Sequence, residues 1–281
     1  MSNSLVSVVV TCYNKRAYVA ESLDSVIKQT YSPLELVIVD DGSTDGSREL
    51  LEDFAAHHDN VTLMTQPNQG VSAARNAGIR AAKGIYVMSL DADDLLEPTY
   101  VERCVEVLDE HSDVKVVQTR ARCFGGREGE VVFPEYSYEH LLWSNTIYCC
   151  AMYRREDFFQ TKGYNVNMQH GLEDWDFWLS LLKPQDKVVC VDSALFHYRV
   201  LPDSRSIDAE QYEMNCYQQI YNNHIDIYAP YVDRLVFFRE KWAQYEVMCQ
   251  SALAARQSKA YKIGKLITRP FGWIKRCFRK C

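Results

Sequence analysis

The chain has 281 residues, of which 47% are hydrophobic and 25% are charged, and it contains 5 Trp and 18 Tyr. This is the composition of a globular protein with enough apolar material for one large domain, or for a domain with an appendage. The net charge of −7 at pH 7 argues against a general nucleic-acid binder, and we expect no nucleic-acid partner.

Neither the first residues nor the cysteines indicate export. The start, Met-Ser-Asn-Ser, has no basic region followed by a long apolar stretch, so we expect no signal peptide. The sequence contains no run of about 18 apolar residues, so we expect no membrane-spanning helix. The ten cysteines are scattered and form no C-x-x-C pair, which favours reduced thiols over a zinc site. We therefore expect a cytoplasmic location.

Predicted strands and helices alternate along the first 111 residues. Short apolar or β-branched runs predict strands at 5–12, 34–39, 61–65 and 85–90. Apolar residues at spacings of three and four, with turn signals between them, predict helices over about 17–29, 45–58, 71–82 and 99–111. This alternation indicates an α/β fold with a mostly parallel, doubly wound sheet, in which ligands bind at the carboxyl ends of the strands.

Three carboxylates, Asp91, Asp93 and Asp94, follow the fourth predicted strand directly. Like charges this close repel each other. A divalent cation removes the conflict, because Mg²⁺ binds one or two carboxylates together with substrate phosphates. No glycine-rich phosphate loop is present to replace it. We interpret this segment as a metal–diphosphate site; the alternative is an acidic first turn of a helix that starts near Leu95.

The pattern loosens after residue 111. Strands are predicted at 114–119 and 188–191, and a hairpin is predicted between 120–124 and 130–133. Glu173, Asp174 and Asp176 lie in the first turn of a predicted helix, where the helix dipole favours acids. The alternative is that a carboxylate here, partly desolvated by neighbouring tryptophans, acts as a general base. His197 is either a core histidine or a ligand of metal or phosphate.

The C-terminal region differs from the rest in charge. Residues 208–256 are predicted to be helical and rich in aromatic residues that pack on the main domain. After Glu246 the chain has nine basic residues and no acid. Apolar residues recur there at spacings of three or four, so 258–281 form a basic amphipathic tail. Such a tail is typical of a peripheral membrane anchor; the alternative is a terminal helix that docks on its own protein or on a dimer partner.

Several stretches, in this order, resemble the family 2 glycosyltransferases, which adopt the GT-A fold. They are VSVVVTCYN (6–14), LVIVDDGSTDGS (36–47), NQGVSAARNAG (68–78), GIYVMSLDADDLLEP (84–98), GLEDWDFW (171–178) and FHYRVLPDSRS (196–206). The resemblance implies a GT-A type, Rossmann-like domain over 1–206, with a mostly parallel central sheet flanked by helices. Its nucleotide-binding part would cover about 1–115 and its acceptor-side part about 116–206, and a helical C-terminal region, 207–281, would follow.

The resemblance also assigns roles to individual residues. Nucleotide binding would fall on Thr11, Tyr13, Asp40, Asp41, Arg75, Asn76, Asp91, Arg199 and Ser204. Metal binding would fall on Asp93, with Asp91 and His197 near the metal. Asp174 would be the catalytic base, steadied by Glu173.

The implied reaction is an inverting, metal-dependent transfer of a sugar from a nucleoside-diphosphate sugar, with Mn²⁺ or Mg²⁺ as cofactor. A UDP-sugar is expected because the paired aspartates suit uracil, although a dTDP-sugar presents the same ring nitrogen. The acceptor would be a glycan or a lipid-linked glycan of bacterial surface polysaccharide assembly. One alternative is a sugar nucleotidyltransferase, which needs a glycine-rich, basic loop where this chain has Thr-Cys-Tyr-Asn-Lys. The other is a non-catalytic GT-A scaffold, against which the retained carboxylates speak.

Overall fold

The structure is a computed structural model that describes residues 4–131, 133–201 and 212–231. The chain divides into two compact units, Met1–His224 and Ile225–Cys281. None of the helices in the described ranges is both long and apolar enough to cross a bilayer. The basic tail 258–281, Ser204 and most of the helical prediction beyond residue 231 lie outside the described residues.

One sheet organises the first unit. Its strands are β1 (Val6–Cys12), β2 (Leu34–Asp40), β3 (Val61–Thr65), β4 (Tyr86–Asp91), β5 (Leu95–Leu96), β6 (Val114–Gly125), β7 (Gly129–Val131), β8 (Met152–Arg154) and β9 (Lys187–Val200). Among the described strands the order is β3-β2-β1-β4-β8-β6-β9-β5, and β7 pairs with β6.

The helices lie between these strands and after them. They are α1 (Val19–Ile27), α2 (Ser47–Ala56), α3 (Val71–Ala81), α4 (Tyr100–Glu110), α5 (Tyr138–Leu141), α6 (Arg155–Phe158), α7 (Glu173–Leu181) and α8 (Glu213–Asn223). The described part of the second unit consists of α9 (Ile225–Tyr228) and a 3-10 turn (Ala229–Tyr231).

The four strands β3, β2, β1 and β4 are parallel to one another, as the sequence predicts. Every residue of β1 is buried, because the strand lies at the centre of a sheet covered on both faces. In the register, Thr11 at the end of β1 pairs with Asp91 of β4 on one side and with Val39 of β2 on the other. The polar residues after these strands therefore meet at one edge of the sheet.

A glycine lets α3 lie close against this sheet. A Cβ added to Gly78 would stand 2.3 Å from Cγ1 of Val9, too near for any side chain. Arg75 is one turn earlier on the same helix, so this close approach also carries its side chain towards the edge where the strands end.

The segment after Asp94 is a strand and not the first turn of a helix. Leu95 and Leu96 pair antiparallel with His197 and Phe196 of β9. The alternative of an acidic helix start near Leu95 is therefore wrong, and the next helix begins only at Tyr100. Leu96 is buried, so pairing with β9 also removes apolar surface from water.

Strands β6 and β9 extend well beyond the predicted 114–119 and 188–191. The two strands stay paired as far as Gly125 and Val200, across register shifts near Thr119 and Arg120. Past Thr119, the half-buried Arg120 and the exposed Arg122 alternate with buried Ala121 and Cys123. This alternation ends the continuous apolar run while the strand goes on.

Candidate active site

A cleft of about 1120 Å³ opens at the carboxyl edge of the parallel strands. One side is lined by the residues that follow β1, β2 and β4 and by the start of α3. The other side is lined by residues 145–149, 166–174, Phe196 and Tyr198 of β9, and helix α8. Arg199, which follows on β9, lies beside Asp93 on the first side. Asp93 and Asp174 both line this cleft, although 80 positions separate them in the sequence.

On the first side of the cleft, three hydrogen bonds fix the carboxylate of Asp41. The carboxylate of Asp41 accepts hydrogen bonds from Nε2 of Gln66 (2.7 Å) and from the backbone N–H groups of Gln69 (2.9 Å) and Gly70 (2.9 Å). Thr11 and Tyr13 line the cleft beside it, and Tyr13 is 46% exposed. An exposed ring next to a fixed acceptor is a suitable surface for a flat, hydrogen-bonding base.

Asp40 lies behind this surface. It is completely buried, and it accepts hydrogen bonds from Nε of Arg48 (2.9 Å) and from the N–H of Ser43 (3.1 Å). It is absent from the cleft lining. Its contacts fix the loop that carries Asp41, so Asp40 supports the cleft from behind and does not line it.

The carboxylates after β4 form a dense group of negative charge. Oδ2 of Asp93 accepts a hydrogen bond from Nζ of Lys15 at 2.6 Å. Asp94 is almost fully buried, and its Oδ1 accepts the backbone N–H of Arg199 (2.8 Å). Burial, followed by the charges of Asp93 and Asp91, raises the pKa of Asp94 well above its usual range. Keeping all three carboxyl groups charged at once is therefore unfavourable in this arrangement.

The carboxylates fit a metal ion that is shared with a substrate. The side chains of Asp93 and Asp91 are 15% and 24% exposed towards the cleft. Within the described ranges, no group of three or more His, Cys, Asp or Glu side chains could hold a metal. A complete protein cage is thus missing there, but Mg²⁺-type sites typically use one or two carboxylates and take their other oxygens from phosphates and water.

Two further predicted site residues, His197 and Asn76, lie outside the cleft. Nε2 of His197 lies 2.8 Å from Oε1 of Glu97, in a smaller groove next to α1. The amide of Asn76 is buried and exchanges two hydrogen bonds with the backbone of Tyr164, at 2.7 and 2.8 Å. Ser204 is not among the described residues. The structure does not bring His197 or Asn76 to the cleft lining.

Arg199, by contrast, reaches the cleft beside the carboxylates. Its Nε donates to the backbone carbonyl of Asp93 (2.7 Å) and its Nη2 to Glu21 (2.6 Å). Its guanidinium lies over the ring of Phe124, 4.2 Å from the ring centre. These contacts hold a positive charge at the place where the resemblance expects a diphosphate.

Arg75 joins the two sides of the cleft. Its Nη2 donates to Oδ1 of Asp91 (2.8 Å) and its Nη1 to Oε1 of Glu173 (2.9 Å). The guanidinium is 1% exposed, so both ion pairs are shielded from water. This single side chain ties the end of β4 to the start of α7.

Asp174 is positioned at the start of α7 by two donors. Its Oδ1 accepts the backbone N–H of Trp175 (2.8 Å), and its Oδ2 accepts Nδ2 of Asn145 (3.0 Å). Burial, followed by the charge of Glu173, raises the pKa of Asp174 to about 6. A carboxylate with such a pKa is suited to general base chemistry near neutral pH.

Sequence reasoning did not find all the residues that line the cleft. Asn145 lies in an aromatic-rich stretch without a motif, and Glu213 and Tyr217 lie on α8, beyond the last resembling stretch. The only sequence signal for α8 was its general helical character. The contacts of these residues with the cleft are all distant in sequence, so no local pattern marks them.

Sequence comparisons identify a family and several relatives. The sequence model described as Glycosyl transferase family 2 matches residues 7–160. The chain is 32% identical over 182 residues to chondroitin synthase of Escherichia coli, a match that covers 63% of this chain and 26% of that protein. It is 31% identical over 210 residues to EpsE of Bacillus subtilis (strain 168), a glycosyltransferase by name, with 72% of this chain and 75% of EpsE covered. The chain spans about a quarter or less of the synthases that it matches.

Solved structures share the fold. S. aureus TarS 1-349 in complex with UDP-GlcNAc superposes with a TM-score of 0.60 at 19% identity, covering 79% of this chain and 72% of that chain. The mannosyltransferase PcManGT from Pyrobaculum calidifontis, in complex with GDP-Man and Mn2+, gives a TM-score of 0.58 at 18% identity, covering 95% of this chain and 85% of that chain. At these identities the likeness concerns the fold alone.

Proposed function

The chain belongs to glycosyl transferase family 2, and from this membership and the shape of the cleft we propose that it transfers a sugar from a nucleoside-diphosphate sugar to an acceptor hydroxyl. The family and the GT-A type, Rossmann-like fold were both expected from the sequence, and both are confirmed. The observation that carries the proposal is that Asp93 and Asp174 line one cleft at the carboxyl edge of the sheet.

We propose a UDP-sugar as the donor. A carboxylate offers about four acceptor positions, and three donors reach that of Asp41, so one position is left for the ring N–H of uracil. The exposed ring of Tyr13 would stack on the base, and Thr11 would line the pocket. The complex of TarS with UDP-GlcNAc supports this choice of nucleotide by analogy of fold.

Asp93, with Asp91 beside it, would hold Mn²⁺ or Mg²⁺. The Mn2+ complex of PcManGT supports this assignment by analogy of fold. When bound, the cation would neutralise charge that grows on the departing diphosphate. Arg199 and Lys15 would add positive charge at the same end of the cleft. His197 is not part of the proposal, because its ring is hydrogen-bonded to Glu97 in another groove.

Asp174 would accept the proton of the attacking hydroxyl. The acceptor oxygen would form its bond to the anomeric carbon as the bond between that carbon and the diphosphate oxygen breaks, with inversion at the carbon. Asn145 and the N–H of Trp175 hold both carboxylate oxygens of Asp174 in place. Arg75 balances the charge of Glu173, so that a second carboxylate can stay next to the base.

For the acceptor we propose a glycan of cell-envelope polysaccharide synthesis. The curated relatives include synthases of chondroitin and hyaluronan and a minor teichoic acid biosynthesis protein. A lipid-linked acceptor at the inner face of the cell membrane would suit the basic tail 258–281, whose sequence has an amphipathic pattern. Attachment of this tail to lipid is part of the proposal.

Nucleotide release tests the proposed reaction. The purified chain is incubated with UDP-, dTDP- and GDP-sugars, with and without Mn²⁺, and the products are separated by ion-exchange chromatography. We expect slow, Mn²⁺-dependent release of UDP from a UDP-sugar through hydrolysis. Release of pyrophosphate when the chain is given a nucleoside triphosphate and a sugar phosphate would instead identify a nucleotidyltransferase. No turnover of any donor would favour a scaffold.

A further inference from the structure

Helix α8 contributes to the cleft although it lies outside the family match. The matched region ends at residue 160, and α8 spans Glu213–Asn223. Glu213 and Tyr217 both line the cleft. They are four positions apart on the helix, so their side chains lie on one face, one turn from each other.

This helix is fixed to the helix that carries the base. Nδ2 of Asn223 donates to Oδ1 of Asp176 (2.6 Å), and Nε2 of His224 lies 3.1 Å from the same oxygen. Asp176 is 1% exposed and lies two residues after Asp174 on α7. Because both contacts are made to a buried carboxylate, the lining face of α8 has a defined position relative to Asp174.

Tyr217 presents a ring to the cleft. It is 40% exposed, and its ring meets that of Trp175 edge to face, with centroids 5.4 Å apart. Trp175 is buried, so it supports Tyr217 from behind. An exposed tyrosine with a fixed orientation and a polar end is a suitable platform for the C–H face of a sugar ring.

The charges on this side of the cleft are all negative. Among the residues that the structure describes, the acids that line this side are Glu173, Asp174 and Glu213, and no Lys or Arg lines it. The carboxylate of Glu213 has no hydrogen-bond or ion-pair partner in the described part of the chain. The lining cations Lys15 and Arg199 lie beside Asp93, and Arg75 is committed to its two buried ion pairs.

We propose that the face of α8 formed by Glu213 and Tyr217 binds the terminal sugar of the acceptor and selects a neutral sugar over an anionic one. This inference rests on the proposed function and deepens it. The donor would fill the side of the cleft near Asp41 and Asp93, so the acceptor hydroxyl must approach Asp174 from the side of α8. Tyr217 offers the stacking surface, and Glu213 accepts hydrogen bonds from sugar hydroxyls. A uronate or phosphate would meet only like charges there.

Binding to an array of defined oligosaccharides tests the inference. The array holds neutral, uronate-terminated and sialylated glycans, and the full chain is applied with UDP and Mn²⁺. We expect the wild-type chain to bind neutral termini and not anionic ones. Tyr217→Ala should lose about tenfold in binding, the size of one aromatic contact, while Tyr217→Phe retains most of it. Gln218→Ala, an exposed change next to the lining face, is the matched control.

A charge reversal tests the selectivity. Glu213→Lys should weaken binding of neutral termini and gain binding of uronate termini. Equal binding by the wild-type chain and Tyr217→Ala would overturn the inference, as would a wild-type preference for anionic termini. Lack of any glycan binding by a wild-type chain that binds UDP would also overturn it. The proposed function is judged separately, by calorimetry of UDP and Mn²⁺ with the wild-type chain.

Discussion

The two sides of the cleft differ in charge and in construction. The donor side, where we propose that the nucleotide sugar binds, consists of β1, β2, β4 and the loops after them; there Lys15, and Arg199 from β9, lie beside a group of carboxylates. The acceptor side consists of short helices and long, irregular strands, and its described lining residues lack a cation of their own. In the proposed reaction, the first region would bind the metal and the diphosphate, and the second would stack a sugar and accept a proton. Arg75 makes a direct ion pair to each side, with Asp91 on one and with Glu173 on the other.

The largest expected effect concerns the base on the acceptor side. Asp174→Asn keeps the size of the side chain but removes its ability to take a proton. Sugar transfer should fall by ~10²–10⁴-fold, the usual contribution of a general base. UDP affinity, measured by calorimetry, should stay close to that of the wild-type chain, because the donor side is untouched. Near-normal turnover of Asp174→Asn would show that the base lies elsewhere.

The next effect concerns the link between the two sides. Arg75→Met leaves Asp91 and Glu173 without their shared counter-ion in a largely buried position. The free energy of unfolding in urea should drop by about 3 kcal/mol, the lower range for breaking a buried ion pair, since Asp91 is partly exposed. The matched control is Arg103→Met, which removes an exposed pair with Glu106 and should cost about 1 kcal/mol or less. Equal losses for the two variants would refute the linking role of Arg75.

The third effect is confined to the donor side. Asp93→Asn should weaken UDP binding in the presence of Mn²⁺ by at least about tenfold, because even outer-sphere partners of a metal contribute this much. Without Mn²⁺ the variant and the wild-type chain should bind UDP with similar affinity. Asp24→Asn, an exposed carboxylate paired with Lys28, is the control. An Asp93→Asn chain with full Mn²⁺-dependent affinity would exclude Asp93 as the metal ligand.

The smallest effect is a shift in pH dependence. As the proposed base, Asp174 would act only when deprotonated, so kcat/KM should fall tenfold per pH unit below about 6, the pKa to which burial raises it. The hydrogen bond from Asn145 stabilises the charged form and lowers this pKa. Asn145→Ala should therefore move the acidic limb to higher pH and recover most activity at pH 8. A loss of the same size at every pH would mean that Asn145 acts only on the general structure.

The sequence predicted the donor side well because its information is local. The strands β1 to β4 are short apolar runs, and their parallel arrangement brings Thr11, Asp41 and Asp91 together without further knowledge. Asp40 could not be separated from Asp41 in this way. Successive residues of an extended segment point to opposite sides, and the sequence alone does not tell which of the two faces the cleft.

The acceptor side was less predictable because distant contacts build it. His197 belongs to the same strand as Phe196 and Tyr198, which line the cleft, but its side chain is turned to Glu97. Asn145 reaches Asp174 across 29 positions, and Tyr217 reaches Trp175 from a helix with no motif. Such contacts depend on the packing of whole elements, which no periodic pattern in the sequence records.

The most direct test of the account is an anomalous difference map from crystals grown with UDP and Mn²⁺. The account predicts one manganese peak in coordination distance of the Asp93 carboxylate and of the diphosphate. It also predicts that uracil lies against Asp41 and Tyr13, and that Asp174 faces the open part of the cleft beyond the diphosphate. A manganese peak between His197 and Glu97, or UDP bound away from Asp41, would contradict it.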